Sequence, residues 1–444
     1  MLTNIARKIN QSFGKRRMRV AAMSALFFLA MAVFWILKPI KKGIFISHFK
    51  TNTIDFWGMN LGGAEAEQLA KITVVFAALI IAILLGIASR YYSLRKIFLL
   101  TTLSAIAGMA FFAWGISSGD GWLVWALYVF GDVQNSLVIV LIWSLLHNSF
   151  RVREAKCAYG FIGVGGVAGG LAGTVFVQQA LPFLGRETVV LLCAVPMLLI
   201  TVIGYKYSRN SNYKERQFVK KSPPGGDLSG ATDVTNLSKG WRAFEKSKYW
   251  IIVGLLVALY EATSGIIDFQ LSMTVEHLGS DLDRDVYFSF VGMAQNAVSL
   301  VVQLFFSGQI IRRWGLENAL LVLPLTILFG SLGFLVAPTL GGAMFLSVSD
   351  NGLNYSLNQQ AKETLYIPTK PEERLRAKAF IDVFVQRFAK ATTAALNLTV
   401  VTTASLNGVR WLSLVAIPLL ILWIATARVA GREFKHLSVV NSSQ

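Results

Sequence analysis

Apolar residues in this chain come in long unbroken runs, with neither strand-like alternation nor a single amphipathic stripe. The runs cover about 18–37, 69–89, 96–117, 121–146, 158–181 and 186–206. After a polar interval they resume at about 248–270, 286–311, 316–338, 340–365, 379–404 and 410–427. A helix crosses the hydrocarbon of a bilayer in ~20 residues, and each run is near or above that length. The pattern predicts an all-α membrane protein of about twelve transmembrane helices in two six-helix halves. The polar interval, 207–247, is rich in Ser, Lys, Pro and Gly and reads as a flexible basic linker. The expected organisation is a first half over 1–206, the linker over 207–247 and a second half over 248–444.

Composition agrees. Of the 444 residues 54% are hydrophobic and 15% charged, and the mean hydropathy is +0.55. A soluble domain could not keep that much apolar surface from water. The net charge of +18 could suggest nucleic acid, but the basic residues sit in short loops between apolar runs. Arg90/Arg95/Lys96, Arg151/Arg153/Lys156, Arg312/Arg313 and Arg374/Arg376/Lys378 alternate with the neutral, acidic or nearly balanced "SSGDG", "GRE", "EHLGSDLDRD", "PTLGG" and "SLNG". The positive-inside bias then places both termini in the cytoplasm. Arg7, Lys8, Lys15, Arg16, Arg17 and Arg19 precede a first run of full membrane length with no small-x-small cleavage site. That run reads as a retained helix rather than a signal peptide. With no transit peptide in view, the expected location is a bacterial inner membrane. Cys157 and Cys193 fall in or near apolar runs and make no disulfide framework. His48, His147, His277 and His436 lack metal-ligand spacing. With no nucleophile–base pair, zinc signature or Walker sequence, the chain is not expected to be an enzyme or to carry a cofactor.

Six helices, a basic linker and six more is the layout of a major facilitator superfamily transporter, in which two halves rock about a midplane site. Charged groups at mid-bilayer cost ~2.5–3.5 kcal/mol on insertion scales, so each is informative. "YVFGDVQNSLVIVLIW" carries Asp132, Gln134 and Asn135, with Asp132 and Asn135 on one face. "VALYEATSGIIDFQ" carries Glu261 and Asp268 two turns apart. "SVSDNGLNYSLNQQAKETLYIP" is polar along most of its length, and the eleventh run adds Asp382, Arg387 and Lys390. Any one could merely pin two helices together. As an ensemble over several runs they point to a polar cavity of both signs, its lysines and arginines suited to an anion and its acids able to orient the lysines. The fifth run contains a GxGxxA string (Gly163, Gly165, Ala168) with no preceding strand, so dinucleotide binding is a weak reading. Gly165/Gly169, Gly166/Gly170 and Gly169/Gly173 instead predict close helix packing.

Several stretches resemble the non-mitochondrial ATP/ADP translocases of plastids and intracellular bacteria. "ILKPIKKGIF" is similar to that family's Arg-Asp-x-Lys-Asp string: Lys41 falls on its lysine, Lys38 replaces its arginine, and Pro39 and Lys42 replace its two acids. "GAEAEQLAKI" and "REAKCAYGFIGVGG" resemble the stretch leading into its second helix and the one between its fourth and fifth. "NYSLNQQAKETLYIP" keeps Tyr355, Ser356, Leu357, Lys362, Glu363, Tyr366, Ile367 and Pro368 of its most specific patch. "RAKAFIDVFVQRFAK" keeps Lys378, Asp382, Arg387 and Lys390, and Glu261 matches a glutamate important for transport. The departures are Lys42, Gly131 in place of a glutamate (with Asp132 one residue out of register) and Asn358 in place of an aspartate. They make this site more basic than the family pattern. The resemblance implies a major facilitator fold, nucleotide cargo such as ATP or ADP, and no covalent cofactor.

Lys38, Lys41 and Lys42 follow the first run on its outer side, against the positive-inside bias. Pro39 and Gly43 predict an interrupted or extended helix there, carrying the lysines over the mouth of the cavity as part of a phosphate-attracting funnel; the plainer reading is contact with lipid head groups. The expected substrate-binding set is Lys38, Lys41, Lys42, Asp132, Asn135, Glu261, Asp268, Tyr355, Lys362, Lys378, Arg387 and Lys390. The expected function is nucleotide transport by alternating access. Two alternatives stand beside it: transport of another organic anion by symport or facilitated diffusion, and a non-transporting receptor or scaffold. Expected partners are a small anionic substrate and membrane lipids, with no nucleic acid.

Overall fold

The computed structural model describes residues 17–56, 58–149, 152–218, 247–279, 283–369, 377–378, 380–403 and 409–442. The first helix, α1 (Arg17–Thr51), is much longer than its apolar run. The apolar run ends near Leu37, and the helix continues through Pro39 and all three lysines, the extended form of the two expected there. The helix can go on because the lysines it carries face protein rather than lipid. Pro39 removes the amide that would have bonded the Trp35 carbonyl, a loss membrane helices tolerate where neighbours pack around the site. A short antiparallel hairpin follows, β1 (Ile54–Phe56) and β2 (Met59–Leu61), with Asp55 opposite Asn60. Gly58 at its tip has a φ of 78° and donates to the Asp55 carboxylate. The apolar pattern does not mark this hairpin, because its strands are only three residues long.

The remaining helices follow the runs. They are α2 (Gly63–Tyr91), α3 (Leu94–Gly115), α4 (Gly121–Ser149), α5 (Val152–Leu192), α6 (Ala194–Phe218), α7 (Lys248–Leu278) and α8 (Arg284–Val301). After them come α9 (Ser307–Val336), α10 (Leu340–Leu353), α11 (Gln359–Leu365), α12 (Gln386–Thr403) and α13 (Leu412–Ser442). π-helical turns at Val302–Phe306, Asn354–Asn358 and Ile381–Val385 join or precede them. Helix α6 runs on into the polar interval as far as Phe218; the rest of the expected linker, 219–246, lies outside the described residues. So do 370–376 with Arg374 and Arg376, and the side chains of 147–161 and of Asp382.

Among the described residues eight helical stretches are long and apolar enough to cross a membrane. Two of them, Ile162–Ser208 and Arg284–Val336, are about twice the length one crossing needs. Each folds back at one glycine: Gly185 at φ 74°, ψ 169° and Gly315 at φ 79°, ψ 167°. That region of backbone space is open to glycine almost alone, so "GRE" and "WGLEN" turn sharply where a longer loop would otherwise be needed. The helices around 340–365 and 377–403 are too polar to join the eight, in keeping with the polar string from Ser347 onward.

Two hydrophobic cores organise the bundle. One draws on residues between Val20 and Ile200, with Phe98, Met109, Leu141 and Val189 at its centre. The other draws on residues between Tyr249 and Ala430, with Trp250, Phe269, Ile327 and Trp423, and also takes in Ile46 and Ala64. Around them runs a belt of exposed apolar side chains, including Phe76, Ile80, Ile83, Leu84 and Ile87 on α2, the surface a lipid-facing helix presents. The glycine stripe of α5 packs as its spacing predicts. Gly165, Gly169 and Gly173 lie against Ser24, Phe28 and Ala32 of α1, close enough that an added Cβ would fall 2.1 Å from the Phe28 carbonyl and 2.5 Å from that of Ala32.

Candidate functional site

The two cores meet along α1, α2 and α5 on one side and α7, α8 and α12 on the other. At this seam lies a network of charges that the chain brings together from far apart in sequence. Lys41 of α1 bonds Asp132 of α4 at 2.5 Å and sits over the Tyr128 ring. One residue on, Lys42 reaches the other core: 2.7 Å from Asp268 of α7, and 3.4 Å from Glu67 of α2. Lys71, a turn along α2 from Glu67, bonds the second Asp268 oxygen at 2.6 Å. Glu67 is fully buried and accepts further bonds from the Tyr128 hydroxyl (2.8 Å) and the Ser272 hydroxyl (2.7 Å). Every lysine in the network thus has a carboxylate, and each of Glu67 and Asp268 serves two lysines. Such groups can stay ionised away from water only because they are paired this closely.

Gly131 has a place in this arrangement. A Cβ there would lie 2.9 Å from Cδ of Lys41, so the residue that departs from the family's glutamate makes room for the lysine. The carboxylate is supplied by Asp132 instead. In this chain the acid stands one residue along from the glycine, and it pairs with Lys41.

Beyond this network the seam is closed at the end carrying the β-hairpin. Glu276 of α7 accepts from the free amides of Gly63 (2.9 Å) and Ala64 (2.6 Å), capping α2 from across the seam; a carboxylate suits the positive end of a helix. Lys50 donates to the Glu276 carbonyl, Asn397 of α12 to Gln68, and Arg284 to Ser47. Arg186, beside the Gly185 turn, pairs with buried Asp285, and Gly43 leaves space for that aspartate, since a Cβ there would overlap it at 1.6 Å. The cross-seam bonds from Lys50–Glu276 to Arg186–Asp285 lie in this half of the bundle, and the Ser289 hydroxyl adds another by donating to the Thr174 carbonyl.

Lys38 is different. It projects into a pocket lined by Trp35, Lys38, Pro39, Lys42, Asp268, Phe288 and Gln295. Its ammonium lies 4.4 Å from the Trp35 ring centre and has no carboxylate within ion-pair distance among the described residues. Tyr355 meets the edge of the same Trp35 ring at 6.4 Å. Glu261, on α7, accepts from Gln386 and lies 3.5 Å from Lys390 of α12. Arg387 is half-buried and has no hydrogen-bonding partner among the described residues. Asn135 is half-buried on α4, a turn from Asp132.

The structure does not bring Lys362 and Lys378 to this cluster. Both lie toward the opposite end, where Tyr249 at the start of α7 bonds the Leu365 carbonyl; Lys378 is held there by Glu363 at 2.5–2.7 Å. Lys41 and Lys42, 5% and 6% exposed, line no open mouth and touch no lipid surface. The closed seam covers them. Sequence reasoning singles out neither Glu67 and Lys71 nor Asp350, which accepts from Ser264 at 2.5 Å. The first two form an i,i+4 acid–base pair where α2 enters its apolar run, a place where charge is ordinary; the third is legible as the one acid in the polar tenth run before its tyrosine.

Comparison with known families settles the architecture. The Major Facilitator Superfamily profile matches residues 60–361, more than half of the sequence. The chain belongs to that superfamily. A second profile, the TLC ATP/ADP transporter, matches residues 340–434, the region of the most specific sequence patch. Among similar proteins, ADP,ATP carrier protein 1 of Chlamydia pneumoniae is 21% identical over 73% of this chain and 70% of its own length. ADP,ATP carrier protein 2 of Chlamydia trachomatis is 24% identical over 84% and 82%, and ADP,ATP carrier protein 3 of Rickettsia felis 23% over 75% and 74%. The resemblance read from the motifs is therefore borne out. Among solved structures, the nucleoside transporter NupG superposes with a TM-score of 0.62 at 12% identity, covering 94% of this chain and 98% of that one, a likeness of fold. The Major Facilitator member described here is thus a multi-pass membrane protein with carriers for relatives.

Proposed function

We propose that this protein carries nucleotides across a membrane by alternating access, with no chemical step on the cargo. The observation that carries the reading is the seam itself. Two cores are held together at one end by ion pairs that can be exchanged for bonds to an anion, and an unpaired lysine, Lys38, faces the pocket beside them. Relatives named as ADP,ATP carriers support the nucleotide. In this reading the helices form two six-helix halves, 1–206 and 248–444, joined by the 207–247 linker. Twelve passes span a bacterial inner membrane with both termini in the cytoplasm. The hairpin end then faces outward, and the conformation described is closed to the outside. Phosphates entering from the other side meet Lys38 and Arg387, two cations of the expected set that have no carboxylate within ion-pair distance among the described residues. Opening the outer end would break Lys42–Asp268 and Lys71–Asp268 and release both lysines to a new phosphate. Substrate thereby binds the two states through different contacts, as a coupled carrier requires.

The test is uptake of labelled ATP into proteoliposomes, preloaded with ADP or left empty. Uptake that depends on internal ADP establishes exchange, and uptake into empty vesicles establishes net import. No uptake by folded protein in either case removes nucleotides as the cargo. Lys42, Gly131 and Asn358, where the site departs from the translocase pattern, favour another organic anion as the second reading, and competition by unlabelled nucleotides separates the two. Glu261→Gln tests the α7–α12 link. The amide keeps a hydrogen bond to Gln386 but loses the charge facing Lys390, so uptake is expected to fall about tenfold, equivalent to ~1.4 kcal/mol, in protein that elutes and melts like the parent. Unchanged uptake would remove Glu261 from the site.

A further inference from the structure

The buried acids of the seam are each matched by a cation or by backbone amides, and one acid elsewhere in the interior is not. Asp350, on α10, is 1% exposed. Its Oδ2 accepts from the Ser264 hydroxyl at 2.5 Å, and its Oδ1 is buried with no hydrogen-bonding partner. No lysine or arginine lies within ion-pair distance of it among the described residues. The groups facing it are Tyr260, Glu261, Ser264 and Asp268 of α7, Lys38 of α1, and Tyr355 of the following π turn. From α8, Gln295 bonds Ser347, one turn before Asp350. Two of the neighbours are themselves acids. A bare carboxylate oxygen inside a membrane protein is costly while it carries charge, and a proton removes that charge.

We infer that Asp350 is a proton-binding site that couples proton entry to uptake of the anionic cargo. This rests on the transport reading above. The link between the two ligands is Lys38. It lines the pocket together with Ser347, which stands one turn before Asp350 on α10. When a phosphate occupies Lys38, that positive charge is spent on the cargo, and negative charge has been added near a carboxylate with no partner of its own. Taking up one proton restores the balance. Anion and proton therefore bind better together than apart, and by linkage each raises the affinity for the other to the same degree. The proton enters with the cargo, rides on Asp350 through the conformational change, and leaves with the cargo on the far side. No other reactant is consumed.

The experiment compares the parent protein with Asp350→Asn, an uncharged side chain of the same shape, in proteoliposomes. Labelled ATP uptake is measured in two modes: net uptake into empty vesicles at external pH 6.0 or 7.5 with pH 7.5 inside, and counterflow against internal ADP at pH 7.5 on both sides. The expected result is parent net uptake about tenfold faster with the acid exterior, and a variant that loses this response while keeping counterflow within about twofold. Ser264→Ala, which keeps the carboxyl and removes its one hydrogen bond, is expected to move the midpoint of the uptake–pH profile. An Asp350 that only pins α10 to α7 would leave that midpoint in place. Parent uptake indifferent to the gradient, or a variant that still responds to it, overturns the coupling while leaving nucleotide transport standing. Absence of ATP movement in both modes overturns the transport reading and the coupling with it.

Discussion

Asp268→Asn is expected to open the seam. In the parent, a cysteine placed at Ser289, which is fully buried where α8 bonds the Thr174 carbonyl of α5, should react slowly with a maleimide. In the variant the same cysteine should react about 30-fold faster, in detergent and without cargo. Asp268 is the acid that both Lys42 and Lys71 reach across the seam at under 3 Å. Asparagine fills the same space but carries no charge, so the two lysines are left to share Glu67, already 3.4 Å and 3.6 Å away. Removing one partner of a buried pair costs ~3–5 kcal/mol. The side chain of Asp268 is 34% exposed, and water takes up part of that loss, leaving about 2 kcal/mol. Because these bonds exist only while the seam is closed, the loss falls on the closed state, and about 2 kcal/mol moves the equilibrium roughly 30-fold. Adding Lys42→Gln removes one orphaned cation and should restore part of the protection. Equal labelling of parent and variant would show that the seam is held by its other contacts, chiefly the Glu276 cap and Arg186–Asp285.

What the sequence discloses about this site follows a physical line. Charge inside an apolar run is conspicuous because the membrane penalises it, so Asp132, Glu261 and Asp268 stand out by their hydrophobic surroundings alone. Which charges meet is another matter. Lys42 and Asp268 are 226 residues apart, and nothing local to either names the other. The helix entrance at 63–72 resembles a loop boundary, where an acid and a base are ordinary, and so Glu67 and Lys71 pass unmarked although they hold the centre of the network. Lys362 and Lys378 match the translocase pattern well but lie at the far end, since a motif specifies a helix and not the direction each of its side chains takes. For α1 the apolar run understates the length, and of the interrupted or extended helix expected at Pro39 and Gly43 the structure shows the extended one. A proline and three lysines are reliable signs of a helix end where the surroundings are lipid and water; here the surroundings are Glu67, Asp132, Asp268 and the rings of Phe34, Trp35, Tyr128 and Phe288, and the helix continues. The glycine spacing of α5, by contrast, is legible because its partner surface is backbone and requires no particular side chain.

That helix contact gives the largest expected effect on folding. Gly169→Ala adds one carbon, and it would lie 2.1 Å from the Phe28 carbonyl oxygen, 2.7 Å from its carbon and 2.8 Å from its Cα. All three are main-chain atoms of α1, so no rotamer change gives relief. The helices must move apart by about an ångström, and Gly165 and Gly173, one turn to either side, lose their contacts with Ser24 and Ala32 together with it. Overpacking usually costs ~1–3 kcal/mol, occasionally more, and with rigid backbone on both sides the upper end is expected, about 3 kcal/mol. The variant should melt several degrees below the parent in detergent or fail to purify as a single species. Gly163→Ala, in the same glycine-rich string, is the control of opposite sign. Its Cβ would meet only the Gln303 side chain, at 3.7 Å, and alanine in a helix is favoured over glycine by ~0.5–1 kcal/mol, so Tm should hold or rise. Equal loss in both variants would point to a general need for glycine in this helix. Loss at 169 alone fixes the cause on the approach of α5 to α1, the contact along which the charged face of α1 is held against the second core.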